Sequence, residues 1–244
     1  MTASERSVDV LIVYYSRFGT VEALAREVAT GVEEVPDAHA HLLRVEDQPV
    51  DEARPGEDAA AVARRRAVLL DRLMAADALI LGAPSYFGSM ASPLKRFLED
   101  VLTAPEPEND RSRPWRHYHL RERVGAAFTA SGTPHGGNEQ TLHSMLTLLM
   151  HLGMVLVTPG QRSPVLENEA APYGATAISG PEGDRPPDDL ARESARHLGR
   201  RVAETAAYLK LGRLVWSSWT QDLHGPPPSP LEQSQPHPKF WRQG

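Results

Sequence analysis

The chain has 244 residues, a net charge of −6 and a pI near 5.9, and 41% of its residues are hydrophobic. These values suit one domain with a full core, and the acidic balance argues against nucleic-acid binding, which needs a basic surface. There is no cysteine, so disulfides, thiolate nucleophiles and iron–sulfur clusters are excluded, and redox chemistry would require a bound cofactor. No apolar run reaches the roughly 18 residues that span a bilayer. The polar start of the chain leads us to expect no signal peptide and a cytoplasmic protein without membrane insertion.

The first predicted unit is a buried strand followed directly by a helix. Residues 10–14 are apolar and mostly β-branched or aromatic, and helical periodicity begins at Val21. The turn between them contains Ser16, Gly19 and Thr20, which offer hydroxyl and backbone N–H groups at the positive end of a helix dipole. Such a turn suits a phosphate group. It is also compatible with an ordinary strand–helix turn closed by an N-cap.

Further strands alternate with helices along the chain. Strands are predicted at residues 39–45, 78–82, 124–130 and 154–157. Helices are predicted over residues 59–73 and from Pro93, from Glu139 and from Asp188 or Asp189. The segments 46–57, 103–116 and 161–187 are predicted to be loops.

This alternation predicts an α/β domain with a doubly wound parallel sheet and helices on both faces. Right-handed crossovers place the carboxyl ends of all strands at one edge. The polar loops after the first, third and fourth strands therefore share that edge, where open α/β sheets bind ligands.

The end of the chain differs in composition. We divide the sequence into a domain over residues 1–212 and a tail over residues 213–244. Trp216, Trp219 and Trp241 stand among polar residues there, and prolines are frequent from Pro226 onward. The tail is therefore predicted to be extended or disordered, with docking of its aromatic residues on a neighbouring subunit as the alternative.

Six segments carry a resemblance to a known family, in matching order and nearly matching spacing: residues 14–19, 82–90, 131–133, 136–141, 151–155 and 173–180. They resemble the WrbA-type (tryptophan-repressor-binding-protein) family of the flavodoxin-like superfamily, which are FMN-dependent NAD(P)H:quinone oxidoreductases. The resemblance extends from Val8 to Leu211. It implies a five-stranded flavodoxin-like sheet in the order 2-1-3-4-5, FMN as cofactor, NAD(P)H as electron donor, a quinone as acceptor, and a homotetramer or dimer.

The resemblance also implies which residues hold the cofactor. The phosphate loop would be Ser16, Arg17, Phe18, Gly19, Thr20 and Val21. The second loop, along the flavin ring, would be Pro84, Ser85, Tyr86, Phe87 and Gly88. The third loop would be Ser131, Gly132, Thr133, Pro134, His135, Gly136 and Gly137. His151 would approach the flavin from a neighbouring subunit, and Phe18, Tyr86 and Trp115 would line the substrate pocket.

Several of these residues have a simpler interpretation. Arg17 and His135 can be solvated loop residues, and Phe18 can pack against a neighbouring helix. His151 can be a helix C-terminal histidine stabilised by the dipole. Trp115 can be a surface residue, because an insertion before it makes its alignment with the family uncertain.

Two features depart from the family pattern at the ring end of the site. Tyr86 stands where the family usually has arginine, and Pro134-His135 replaces a glycine-rich step and adds one residue. The Tyr86 departure bears on the nicotinamide preference and the flavin potential, because a cation is lost there. The Pro134-His135 step is expected to stiffen the third loop and to offer His135 as a ligand contact.

The function predicted from the sequence is ping-pong hydride transfer from NAD(P)H to a quinone, with no side chain as nucleophile and no metal. One alternative is a dedicated flavin-dependent reductase of a specialised, secondary-metabolite pathway. Another is a non-enzymatic flavoprotein or interaction module that uses the proline-rich tail.

Overall fold

The computed structural model describes residues 6–103, 120–161 and 171–224, with side chains as far as residue 216. Strands and helices alternate along this part of the chain as predicted. The strands are β1 (Val8–Tyr14), β2 (Ala38–Arg44), β3 (Ala78–Tyr86), β4 (Ser89–Met90), β5 (Val124–Ser131), β6 (Val155–Leu156) and β7 (Ala175–Ile178). The helices are α1 (Thr20–Glu33), α2 (Ala59–Ala75), α3 (Ser92–Leu102), α4 (Asn138–His151) and α5 (Asp189–His224).

The main strands form a parallel sheet in the order β2-β1-β3-β5, followed by β6 and β7 at the fifth position. This confirms the predicted doubly wound, flavodoxin-like sheet. The short β4 adds an antiparallel hairpin to the end of β3.

The fifth strand position is filled by two separate segments, which corrects the sequence prediction. Val124 of β5 pairs with Val155 of β6, and Phe128 pairs with Ala175 of β7. A single strand over 154–157 and a continuous loop over 161–187 were therefore wrong. The second segment, Ala-Thr-Ala-Ile, is short and half alanine, so its composition does not mark it as a strand.

Both faces of the sheet are buried at the central strands β1, β3 and β5, as their apolar composition predicts. Val10 and Ile12 of β1 pack on the face covered by α1 and α5. Leu11 and Val13 point to the other face, which α3 and α4 cover. Successive side chains of β1 thus point to opposite faces and pack into two separate cores, and this is why β1 is apolar throughout.

Helices α1 and α5 approach each other backbone to backbone. A Cβ atom on Gly199 would lie 2.0 Å from the carbonyl oxygen of Val28, and one on Gly31 would lie 1.9 Å from that of Arg196. Glycine at both positions is what allows this crossing.

Helix α5 is longer than the sequence predicted. It runs for 36 residues to His224, so an extended or disordered chain is wrong for residues 213–224. Lys210 and Arg213 hold the helix on the domain by donating to the carbonyl oxygens of Ser7 (2.6 Å) and Glu122 (2.6 Å). No proline occurs within the helix, and the first one after it is Pro226. Trp241 lies outside the described residues. Despite its length, α5 lacks the apolar character needed to cross a membrane, as do the other helices described.

A buried carboxylate ties α5 to the amino edge of the sheet. Asp77, which is 4% exposed, accepts hydrogen bonds from Arg123 Nη1 (2.7 Å), Lys210 Nζ (2.8 Å) and the backbone N–H of Asp9 (3.1 Å). We expect Asp77→Asn to lower the free energy of unfolding by about 2 kcal/mol, because it leaves two partly buried cations without their counter-charge. Urea denaturation measures this change.

The matched control is Asp71→Asn, on the exposed side of α2. It should change stability by less than about 0.5 kcal/mol. Equal stabilities for the two variants would show that the Asp77 cluster does not hold α5 in place.

Candidate functional site

The loop after β1 forms a set of donors at the N-terminus of α1. Gly19 adopts φ +99° immediately before the helix. The buried Ser16 hydroxyl oxygen accepts hydrogen bonds from the N–H groups of Gly19 (3.1 Å) and Glu22 (3.2 Å). The N–H groups of Thr20 and Val21 have no acceptor within the described chain. These groups and the helix dipole favour an anion at this point.

A pocket of about 490 Å³, including its open mouth, begins at this loop and follows the carboxyl edge of the sheet. Its lining contains one cation, Arg17, and no carboxylate, so nothing in it repels a phosphate. The lining residues are Ser16, Arg17, Phe18, Thr20, Val21, Pro84, Ser85, Tyr86, Ala130, Ser131, Gly132, Ser179, Gly180, Pro181 and Gly183.

Ten of the predicted cofactor residues meet in this pocket, contributed by all three predicted loops. Gly19 lies within the first loop and shapes it without lining the pocket. Phe87, Gly88, Thr133, Pro134, His135, Gly136 and Gly137 belong to the second and third loops but lie outside the lining. The ligand contacts of all these residues stay a prediction.

The loop after β7 is a fourth wall that the predicted set of site residues omitted. Ser179, Gly180, Pro181 and Gly183 line the pocket. The Thr20 hydroxyl lies 3.4 Å from the Gly183 carbonyl oxygen and 3.3 Å from that of Arg185, so this loop rests on the phosphate loop. The sequence signal was the Gly-Pro-Glu-Gly turn at residues 180–183, directly after the resemblance segment 173–180.

The second and third loops are held together by one hydroxyl and one close approach. Ser85 Oγ donates to the carbonyl oxygen of Gly136 (2.6 Å) and accepts from Thr141 Oγ1 (2.8 Å). Gly137 has φ +82°, and a Cβ atom there would lie 2.7 Å from Gly88 Cα. The two loops are therefore held together directly behind Ser85, which lines the pocket.

The tip of the third loop turns away from the pocket. Thr133, Pro134 and His135 are exposed, while the buried Ser131 donates through Oγ to the carbonyl oxygen of Thr133 (2.8 Å). The Pro134-His135 departure thus lies at the rim in this chain. Phe87 likewise points outward, with its side chain fully exposed and φ +54°.

Two aromatic side chains, Phe18 and Tyr86, lie at the mouth of the pocket. Phe18 is 64% exposed, with the Arg17 guanidinium 5.5 Å from its ring centroid. Tyr86 is half-buried. Behind it, burial and a hydrogen bond of 2.7 Å to Asp47 raise the pKa of Tyr15 to about 12, so Tyr15 stays a neutral donor at physiological pH.

His151 is a predicted site residue that the structure does not bring to the pocket. It is the last residue of α4, at the opposite edge of the sheet, and is exposed. Its predicted contact with a neighbouring subunit's flavin stays a prediction. Trp115 lies outside the described residues.

This pocket fits FMN on the observations above. The unpartnered N–H groups at the start of α1 suit a dianionic phosphate, and the wall formed by the second and third loops suits a flat ring. Fold and site together define a flavodoxin-like protein of the FMN-binding kind. A WrbA-like flavodoxin from Agrobacterium tumefaciens has a similar solved structure, with a TM-score of 0.56 and 25% identity over 83% of this chain and 99% of that one.

Sequence comparison gives the family. Residues 11–164 match the family described as NADPH-dependent FMN reductase, and the chain belongs to that family. It is 38% identical over 211 residues to the NAD(P)H dehydrogenase (quinone) of Azorhizobium caulinodans, covering 82% of this chain and 98% of that one. The protein of the same name from Syntrophobacter fumaroxidans is 37% identical over 209 residues, with the same coverage.

Proposed function

We propose that the chain is an FMN-dependent oxidoreductase that passes two electrons from NAD(P)H to a quinone. The observation that carries the proposal is the pocket itself, which joins the donor-rich start of α1 to the loops after β3, β5 and β7. Membership of the FMN reductase family supports the same conclusion, as does the name of two relatives, NAD(P)H dehydrogenase (quinone).

The phosphate end of the site is assigned to the first loop. Ser16 orders the loop by accepting from two of its N–H groups, and Thr20 and Val21 present free N–H groups to the phosphate. Arg17 adds a positive charge at the entrance.

The ring end is assigned to Pro84–Tyr86 and Ser131–Gly132. When bound there, FMN supplies the hydride chemistry, which none of the side chains in the pocket can supply. Ser85 positions the ring wall through its bonds to Gly136 and Thr141. Phe18 and Tyr86 offer aromatic surfaces at the mouth, against which a nicotinamide or a quinone ring can stack.

The proposed kinetic order is ping-pong, with donor and acceptor using the same mouth in turn. Its support is that one open pocket serves the site and that no G-x-G-x-x-G dinucleotide motif follows a strand.

A homotetramer, as the family resemblance implies, is part of the proposal. The exposed Val215 and Trp216 on α5 support subunit contacts, since large apolar side chains at a surface are typical of interfaces. We place the enzyme in the cytoplasm, where NAD(P)H is available.

The test is the visible spectrum of the purified protein, followed by anaerobic addition of NADH or NADPH. We expect oxidised-flavin absorption that bleaches on addition of reductant and returns on addition of a simple quinone. Parallel lines in double-reciprocal plots would support the ping-pong order.

Three outcomes would contradict parts of this proposal. A colourless protein that FMN cannot reconstitute would rule out the cofactor. If neither NADH nor NADPH bleached the bound flavin, the non-enzymatic flavoprotein would be favoured. Uniformly poor turnover across a quinone panel would favour a dedicated reductase, for which the Tyr86 substitution at the pocket is the relevant feature.

A further inference from the structure

The last residue of β2 contacts the phosphate loop. β2 runs parallel to β1, and Arg44 stands opposite Tyr14 in the register. Tyr14 packs on the face of the sheet that α1 and α5 cover, so the Arg44 side chain extends on that same face. There its Nη2 donates to the carbonyl oxygen of Ser16 (3.0 Å). Arg44 does not line the FMN pocket itself, so its effect on a ligand must pass through this bond or through its charge.

Ser16 is fixed by hydrogen bonds on two sides. Its buried hydroxyl oxygen accepts from the N–H groups of Gly19 and Glu22, which lie further along the turn. Its carbonyl oxygen accepts from Arg44. The hydroxyl therefore orders the turn that follows, whereas Arg44 sets the orientation of the peptide bond between Ser16 and Arg17.

This peptide bond carries an N–H group that is available to a ligand. A trans peptide is planar, so its N–H points away from its C=O, and the described chain contains no cis peptide. Because the Ser16 carbonyl is directed at Arg44, the Arg17 N–H is directed away from it. That N–H has no acceptor in the part of the chain described, and Arg17 lines the pocket. The bond from Arg44 thus holds a third unpartnered N–H group in place, in addition to those of Thr20 and Val21.

Arg44 also brings a positive charge that no carboxylate pairs with among the residues described. Glu22, the acidic residue in the first turn of α1, is already paired with Arg26 Nη2 (2.7 Å). The phosphate loop therefore lies next to a cation whose charge is not neutralised by an ion pair. Such a charge attracts a phosphate dianion and has little effect on a neutral group.

We propose that Arg44 is a positioning residue for the phosphate group of FMN, an inference that rests on the proposed function. It holds the peptide between Ser16 and Arg17 so that the Arg17 N–H meets a phosphate oxygen, and its charge stabilises the dianion. The ribityl chain and the ring, assigned to the loops after β3 and β5, gain from neither effect. Arg44 therefore favours FMN over riboflavin, which has the same ring and chain without the phosphate.

The test is fluorescence titration of the apoprotein with FMN and with riboflavin. We expect Arg44→Met to weaken FMN binding about tenfold, as for the loss of a hydrogen bond from a charged donor, and to leave riboflavin binding within about a factor of two. Arg44→Lys keeps the charge and should recover part of the loss. Arg64→Met is the matched control, because it removes the same charge from an exposed position on α2 outside the pocket, and it should bind both flavins as the unmodified chain does.

A second measurement needs no flavin. Amide hydrogen exchange of the apoprotein, resolved by NMR, reports the order of the loop directly. In Arg44→Met the Gly19 amide, which donates to Ser16 Oγ, should exchange about tenfold faster, since one of the two bonds that fix Ser16 is lost. The Ile12 amide in the buried centre of β1 should be unchanged, which shows that the sheet is intact.

The outcomes separate this inference from the proposed function. Equal weakening of FMN and riboflavin by Arg44→Met, or unchanged FMN binding, would overturn the inference and leave the proposed function standing. A selective loss of FMN with unchanged exchange at Gly19 would overturn the positioning role, since only the charge would then act. If the unmodified chain bound neither flavin, the proposed function itself would be wrong, and this inference with it.

Discussion

Gly137→Ala is expected to weaken FMN binding by about 100-fold, equivalent to roughly 3 kcal/mol. Two costs combine at this position. An alanine at φ +82° is strained by about 1 kcal/mol or more. Its Cβ would also lie 2.7 Å from Gly88 Cα, which is backbone and cannot rotate away. The second and third loops must then separate, and the wall proposed to hold the flavin ring opens.

Fluorescence titration of the apoprotein with FMN measures this loss. Gly56→Ala is the matched control, because Gly56 has nearly the same backbone conformation (φ +85°) but nothing within 4 Å of the added Cβ. It should bind FMN within a factor of two of the unmodified chain. If Gly137→Ala, shown by circular dichroism to be folded, bound FMN equally well, the contact between these loops would not shape the site.

Gly199→Ala is expected to lower the free energy of unfolding by about 3 kcal/mol, at the top of the usual range for overpacking. The added Cβ would lie 2.0 Å from the Val28 carbonyl oxygen, so α1 and α5 must move apart along their whole contact. That contact buries Leu24, Val28, Leu198 and Val202, whose packing would be loosened together.

Gly212→Ala, on the same helix, separates this effect from helix propensity. Nothing lies within 4 Å of a Cβ at Gly212, so alanine there should raise stability by about 0.5–1 kcal/mol. Urea denaturation of both variants gives the comparison. Equal and positive changes would mean that the α1–α5 crossing tolerates a methyl group, against the geometry described.

The phosphate loop is a region whose structure the local sequence pattern predicts correctly. A strand, a turn with Ser16 and Gly19, and a helix starting near Val21 follow from residue type and periodicity over fewer than fifteen residues. The structure places α1 at Thr20 with Gly19 in a left-handed conformation, as such a turn requires. The same holds for Pro93 in the first turn of α3 and for Asp188, whose carboxylate accepts from the Ala191 N–H (2.8 Å).

Segments whose structure depends on distant partners were predicted less well. β7 is a strand because it pairs with the edge of β5, and the residue types of its own four positions give little indication of strand structure. The helical continuation beyond Arg213 was missed because aromatic and polar residues there give no clear core face. Lys210 and Arg213 anchor the preceding turns to Asp77, Ser7 and Glu122, and the helix then propagates from that anchor.

The sequence by itself determined the alternation of strands and helices, the parallel sheet, and the three polar loops at its carboxyl edge. Each of these depends on the order and spacing of neighbouring residues. Only the tertiary structure decided that Gly183 rests on Phe18, that Gly137 meets Gly88, and that Gly199 meets the carbonyl oxygen of Val28. These are distances between residues far apart in the chain, and they are set by how elements pack rather than by any local pattern.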